Sequence, residues 1–248
     1  MGPNPPRPTT YHGRTGHILP SADNELQDQM NNLIQFTSEN EMVINFKKTK
    51  VMLFNTGKKY DFQPEINFDD DNNCLDVVEE LKLLGVKVTS DLKWHTNTQY
   101  ICAKGYSRLW MLRNLKRYGA STNDLVDVYQ KQCRSVLELA VPAWASGLTK
   151  SDIHQIERVQ KSAFAIILGD SYTSYKHSLQ ILKMETPADR RHALCLSFTK
   201  KSYKSEKFSK WFCESEADSD LLLTEVKTRT GRYRKSPIPY LTDLLNGS

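Results

Sequence analysis

The spacing of apolar residues along this chain changes character twice. Residues 1–23 hold five prolines and no apolar period, which predicts a disordered leader. Leu26, Met30, Leu33 and Ile34 then recur at i, i+4, i+7 and i+8, the spacing of one helical face, so an amphipathic helix is expected from near Asn24. The next apolar runs are short. Met42-Val43-Ile44, Val51-Met52-Leu53-Phe54, Ile66 with Phe68, Leu75 with Val77 and Val78, and the set Leu81, Leu83, Leu84, Val86 and Val88 each have strand length. Asp69-Asp70-Asp71-Asn72-Asn73 separates two of them and reads as a hairpin turn, because Asp and Asn tolerate turn geometry and break strands. These runs predict one small antiparallel sheet with the first helix on a face.

From His95 the period becomes helical. Cys102, Tyr106, Leu109 and Trp110 fit one buried face. Ser121-Thr122-Asn123-Asp124, Thr149-Lys150-Ser151-Asp152 and Thr186-Pro187-Ala188-Asp189 are three helix starts, each with a hydroxyl cap and an acid three residues on. Val126, Tyr129, Cys133, Val136 and Ala140 mark the buried face of one helix, which Pro142 ends or kinks. Ile153, Ile156, Gln160, Ala163, Phe164 and Ile167 mark the next, with Gly169 as its stop. The fold class expected is α+β, a small antiparallel sheet with one helix followed by an all-α region. The expected parts are 1–23, 24–94, 95–212, and a linker and tail over 213–248.

Charge sharpens this division. Residues 1–98 hold 10 Lys and Arg against 14 Asp and Glu, whereas residues 99–211 hold 19 against 9. A helical segment with a net charge of +10 points to a polyanion partner. The five cysteines, 74, 102, 133, 195 and 213, form no C-x-x-C pair, so buried thiols are expected rather than a disulfide or zinc framework. No apolar run has membrane length, and the opening residues carry neither a signal pattern nor, with Pro6, a myristoylation pattern. An intracellular protein without a membrane partner is expected, nucleus or cytoplasm being left open.

Some motifs match chemistry in letters only. Phe68-Asp69-Asp70-Asp71 spells an aromatic-x-Asp-Asp box, but two-metal chemistry needs several converging carboxylates, and the flanking Asn72-Asn73 suits a turn. With Glu80 the same run imitates an EF-hand loop, yet Cys74 occupies its glycine position. The histidines show no ligand spacing, and no Gly-rich phosphate loop occurs. No metal site is expected.

The order Asn45-Phe46-Lys47-Lys48-Thr49-Lys50, strand, hairpin, Leu83-Leu84-Gly85-Val86, Asp91-Leu92-Lys93-Trp94 resembles the back half of the polymerase palm in non-LTR (LINE-type) retrotransposon reverse transcriptases. Glu157-Arg158-Val159-Gln160-Lys161 and Arg232-Tyr233-Arg234-Lys235-Ser236-Pro237-Ile238-Pro239-Tyr240-Leu241 extend the likeness over about residues 24–246. The resemblance implies a motif D lysine at Lys48, or next Lys50, and a primer-grip turn at Gly85, where Gly permits close approach of backbone. The family's paired catalytic aspartates belong just before the first helix, where this sequence reads Pro5-Pro6-Arg7-Pro8. The expectation is a truncated, catalytically inactive relative of an RNA-directed DNA polymerase, without the magnesium that the intact family uses. It retains weak, sequence-tolerant contact with RNA, DNA or RNA–DNA duplex and takes no small-molecule substrate. Lys200, Lys201, Lys204 and Lys207, beside Tyr203, Phe208 and Trp211, complete the candidate contact set, since lysine reads phosphate rather than base edges. The alternative is a helical protein-interaction fragment or a relic without a role.

Overall fold

A computed structural model describes residues 21–54, 64–68, 73–212 and 222–247. The described chain is mostly helical with one two-stranded antiparallel sheet, an α+β fold. Its contacts divide it into two units, one built from residues up to 53 and from 58 to 78, the other from residues 54–57 and 79 onward.

In the first unit, helix α1 (Ser21–Glu39) buries Met30 and half-buries Ile34 against Ile66, Leu75, Phe46, Val51 and Phe68. Phe46 and Phe68 stack with ring centroids 4.2 Å apart. The Gln27 amide accepts from the Asn67 N–H and donates to the Asn67 carbonyl, both at 2.8 Å, so a helix side chain satisfies a backbone unit that no strand covers. Leu26 and Leu33, expected on the buried face, are exposed.

The four strands expected between 42 and 78 are not regular strands. Val43 is 96 % exposed, and an apolar run without a partner surface has no reason to pair. Val51 makes a single parallel bridge with Val77, and Asn67 bridges Cys74 in antiparallel sense. Leu75 N–H donates to Ile66 C=O at 2.9 Å, so a hairpin-like pairing does flank the acidic turn. The turn residues 69–72 themselves lie outside the described residues.

The second unit opens with the sheet. β1 (Glu80–Leu83) pairs with β2 (Val86–Thr89). The span 81–88, expected as one strand, is thus two, because Leu84 (φ 47°) and Gly85 (φ 91°) form a two-residue turn. Positive φ at both central positions matches the right-handed twist of a hairpin. A Cβ on Gly85 would stand 2.8 Å from Leu139 Cδ2, the movable end of an exposed side chain, so it is the left-handed φ that favours glycine there.

Helix α2 (His95–Arg117) is the central strut. It buries Ile101, Cys102, Leu109 and Leu112, while Tyr106 and Trp110 face outward, contrary to the expected face. Gly105 sets this rotation: a Cβ there would lie 2.9 Å from Val159 Cγ1, so the helix presents its smallest residue where α6 (Lys150–Leu168) comes closest. Helix α3 (Thr122–Val128) continues through a π-helical turn (Tyr129–Arg134) into α4 (Ser135–Leu137). Leu125, Tyr129, Cys133 and Leu137 are the buried residues along it. A strict four-residue repeat drifts by about 40° per step on an α-helix, and the wider π turn takes up that drift. Ala140 then adopts φ 51°, and Pro142 opens α5 (Val141–Trp144) instead of merely ending what precedes it.

The three expected caps form. Ser121 with Asp124 and Thr149 with Asp152 make reciprocal capping boxes, and Thr186 accepts from Asp189 N–H. Helix α6 buries Ile156, Val159, Gln160, Ala163, Phe164 and Ile167 and stops at Gly169 (φ 57°). Lys116 Nζ donates to the Ile166 and Ile167 carbonyls at 2.6 and 3.1 Å, closing the C-terminal end of α6. Helices α7 (Tyr175–Ile181), α8 (Pro187–Tyr203), α9 (Gly231–Arg234) and α10 (Pro237–Asn246) complete the unit, with α10 packed on α8. Cys102, Cys133 and Cys195 are buried thiols, and Cys74 is an exposed one that donates to Asn67 Oδ1 at 3.0 Å; Cys213 lies outside the described residues. Among the described residues no helix is long and apolar enough to cross a membrane.

Candidate nucleic-acid interface

In the first unit, Lys48 is exposed on a turn closed by hydrogen bonds from the Lys48 and Thr49 N–H groups to Asn45 C=O. Lys50 follows on the bridge-forming segment, and its ammonium is engaged by Asp76. One of the two motif D candidates is therefore free of a carboxylate among the described residues, and the other is not.

In the second unit, Lys200 and Lys201 occupy the last turn of α8, Lys204 its C-cap, and Lys207 lies beyond. All four are exposed, and none has an ion-pair partner among the described residues. They do not form one helical stripe, because α8 ends at Tyr203 and the chain turns over 204–208. The negative end of the α8 dipole gives Lys200, Lys201 and Lys204 a structural reason to be there. Lys207 lies 5.6 Å over the Phe208 ring, which itself packs against Trp211 with centroids 4.8 Å apart.

A denser cationic cluster gathers elsewhere. The hairpin register sets Lys82 directly opposite Lys87, a like-charge pair that opposes the pairing of its own strands. Both ammoniums, with that of Lys104 on α2, converge on the Tyr100 ring at 5.3, 5.6 and 5.0 Å from its centroid. Hydrogen bonds from Lys82 and Lys104 hold the Tyr100 phenol below its usual pKa. Among the described residues only Lys87 of the three has a carboxylate partner, Glu80. The motifs did not single out this cluster, since positions 82, 87, 100 and 104 meet only through the two-residue turn and the packing of β2 on α2. Alternate lysines around a glycine turn were its one sequence signal.

Gly85 is the pivot of this hairpin, but the close approach that it permits is to Leu139 of the same unit. The interior of the same unit holds a polar network. Tyr129 OH donates to Gln160 Oε1 at 2.7 Å, Gln160 Nε2 donates to Tyr175 OH at 3.0 Å, and Tyr175 OH donates to Glu157 Oε2 at 2.7 Å. Burial and then the Glu157 carboxylate push the Tyr175 phenol upward, so it stays a neutral donor. Glu138 takes a bidentate hydrogen bond from Arg190, both at 3.1 Å. Arg191 is buried, its Nη1 has no hydrogen-bond partner among the described residues, and it lines a cavity of about 10 Å³ with Tyr129 and Gln160, room for about one water.

Asp69, Asp70 and Asp71 lie outside the described residues, and among the described residues no three His, Cys, Asp or Glu gather as a metal site. Fold and surface together define an α+β protein whose second unit gathers Lys82, Lys87 and Lys104 around Tyr100. No protein-family model, no curated protein and no solved structure matches this chain.

Proposed function

We propose that the unit from residue 79 onward binds nucleic acid through its phosphates, as the duplex-gripping part of a retrotransposon-type reverse transcriptase. The observation that carries the reading is the convergence of Lys82, Lys87 and Lys104 on Tyr100. Three ammoniums held together against one carboxylate leave a repulsion that a phosphate oxygen relieves. Lysine donors of this kind give affinity without sequence information. The two-residue turn at Leu84-Gly85 fixes the register and so preorganises the lysines. The net +10 of residues 99–211 supplies the long-range attraction. RNA and RNA–DNA duplex are the favoured partners because the resemblance runs to an enzyme that holds them.

The test is binding of the full chain to labelled RNA, DNA and hybrid duplexes of unrelated sequence. Comparable affinities that fall when Lys82, Lys87 and Lys104 are replaced by Gln support the reading. A single preferred sequence, or indifference to the triple replacement, sinks it. A second reading, a protein-interaction fragment, is favoured by one observation: Leu84 at the hairpin tip is 92 % exposed beside the exposed Leu83. Replacing Leu84 by Ser should then abolish a partner contact and leave phosphate binding intact.

A further inference from the structure

Helix α2 carries five Lys and Arg and no Asp or Glu over its 23 residues. Four of its residues, Tyr106, Trp110, Arg113 and Arg117, stand at i, i+4, i+7 and i+11, which places them along one flank of the helix. All four are exposed, Trp110 at 65 %. Neither arginine has an ion-pair partner among the described residues. Arg117 in the last turn suits the helix dipole, but nothing in the packing of α2 accounts for two large aromatics held in solvent on successive turns. Single exposed apolar residues are ordinary on protein surfaces; an aromatic pair continued by two free guanidiniums is a more specific arrangement.

We propose that this flank of α2 is a stacking platform for single-stranded nucleic acid. Tyr106 and Trp110 each stack on one unpaired base, and Arg113 and Arg117 hold the phosphates that follow. Tyr106 and Trp110 are about 6 Å apart along the axis at 1.5 Å per residue, well beyond the roughly 3.4 Å between stacked bases. The two rings therefore suit bases splayed from one another and not neighbours within a duplex, whose faces are already covered. Stacking of this kind tolerates any base, because every base has a π face. The platform rests on the nucleic-acid reading above and adds to it a strand preference that phosphate contact alone does not give.

The experiment compares the full chain with Trp110→Ala, Trp110→Phe and the Lys82, Lys87, Lys104 triple Gln variant, by fluorescence anisotropy on a labelled single strand and on a blunt duplex. Trp110→Ala should weaken single-strand binding by about tenfold, as expected for one lost base stack, and leave duplex binding unchanged. Trp110→Phe should restore most of the loss, and unchanged thermal melts of both variants exclude unfolding. The lysine variant should weaken both ligands. Unchanged single-strand binding by Trp110→Ala, or an equal loss on both ligands, overturns the platform and leaves the phosphate reading standing. Wild-type chain that binds neither ligand at low salt sinks the phosphate reading itself. Self-association that disappears with Trp110→Ala, without strand binding, assigns the flank to a second copy of this chain and overturns the platform.

Discussion

Gly85 was legible in the sequence as a point of close approach, but not what approaches it. The structure answers with Leu139, a residue of the same unit. Gly85→Ala combines a left-handed φ, costing about 1–2 kcal/mol, with a 2.8 Å clash against Leu139 Cδ2. Urea unfolding should show at least that loss, and Leu139→Ala in the same chain should recover the clash part but not the φ part. A second residue-scale test concerns the buried chain from Tyr129 to Glu157. Tyr129→Phe removes the donor to Gln160 Oε1 and leaves that fully buried oxygen unpaired, which costs about 1–3 kcal/mol. Gln160 was expected on the buried face of its helix. Its three hydrogen bonds were not legible, because Tyr129, Tyr175 and Glu185 converge on it from three other segments. Tyr100 gives a third readout: Lys104→Gln should raise its phenol pKa toward the ordinary tyrosine value, and an NMR titration that shows no change would show that Lys104 does not donate to it.

At the scale of elements, local signals were read well and phase was read poorly. Ser121, Thr149 and Thr186 cap helices because a hydroxyl and an acid three residues on satisfy the first N–H groups whatever the tertiary context. The face of α2 was misread because Tyr106 and Trp110 count as apolar, while the closeness of α6 is set by Gly105, which carries no hydrophobic signal. The short runs at 42–44 and 51–54 have strand composition, but a strand needs a neighbour, and composition does not name one. Asp91 and Asp152 make the acid limb of stability a test of how elements are joined. Burial raises both carboxyls, and stronger hydrogen bonds lower them: Lys93 and Thr89 act on Asp91, Thr149 and His95 on Asp152. Asp152 Oδ1 lies 2.8 Å from His95 Nδ1, tying the start of α6 to the start of α2. A carboxyl lowered on folding stabilises above its unfolded pKa, and that contribution is lost as pH falls through the folded value. For Asp91 the window runs from 3.8 to about 2, and for Asp152 it lies below the ordinary carboxylate value. Asp91→Asn with Asp152→Asn should flatten the fall in urea stability across this range; an unaltered acid limb would show that these bonds do not couple to folding.

For the whole molecule, the charge asymmetry was plain in the sequence, and its geometry was not. The lysines at 200, 201, 204 and 207 were legible as a cluster because they are close in the chain. Lys82, Lys87 and Lys104 converge only through hairpin register and the packing of β2 on α2. The central claim is that this chain holds phosphates without reading bases. Its most direct test is the affinity for one RNA duplex as a function of salt, measured for wild type and for two variants: the triple Gln variant at 82, 87 and 104, and the quadruple one at 200, 201, 204 and 207. If about four phosphates are neutralised, the log–log slope lies near −3 to −4, and the triple variant lowers it by about one for each phosphate contact removed. A quadruple variant with the wild-type slope would assign those four lysines to the end of α8 alone. A wild-type affinity independent of salt, or a triple variant that keeps the full slope, would contradict the account.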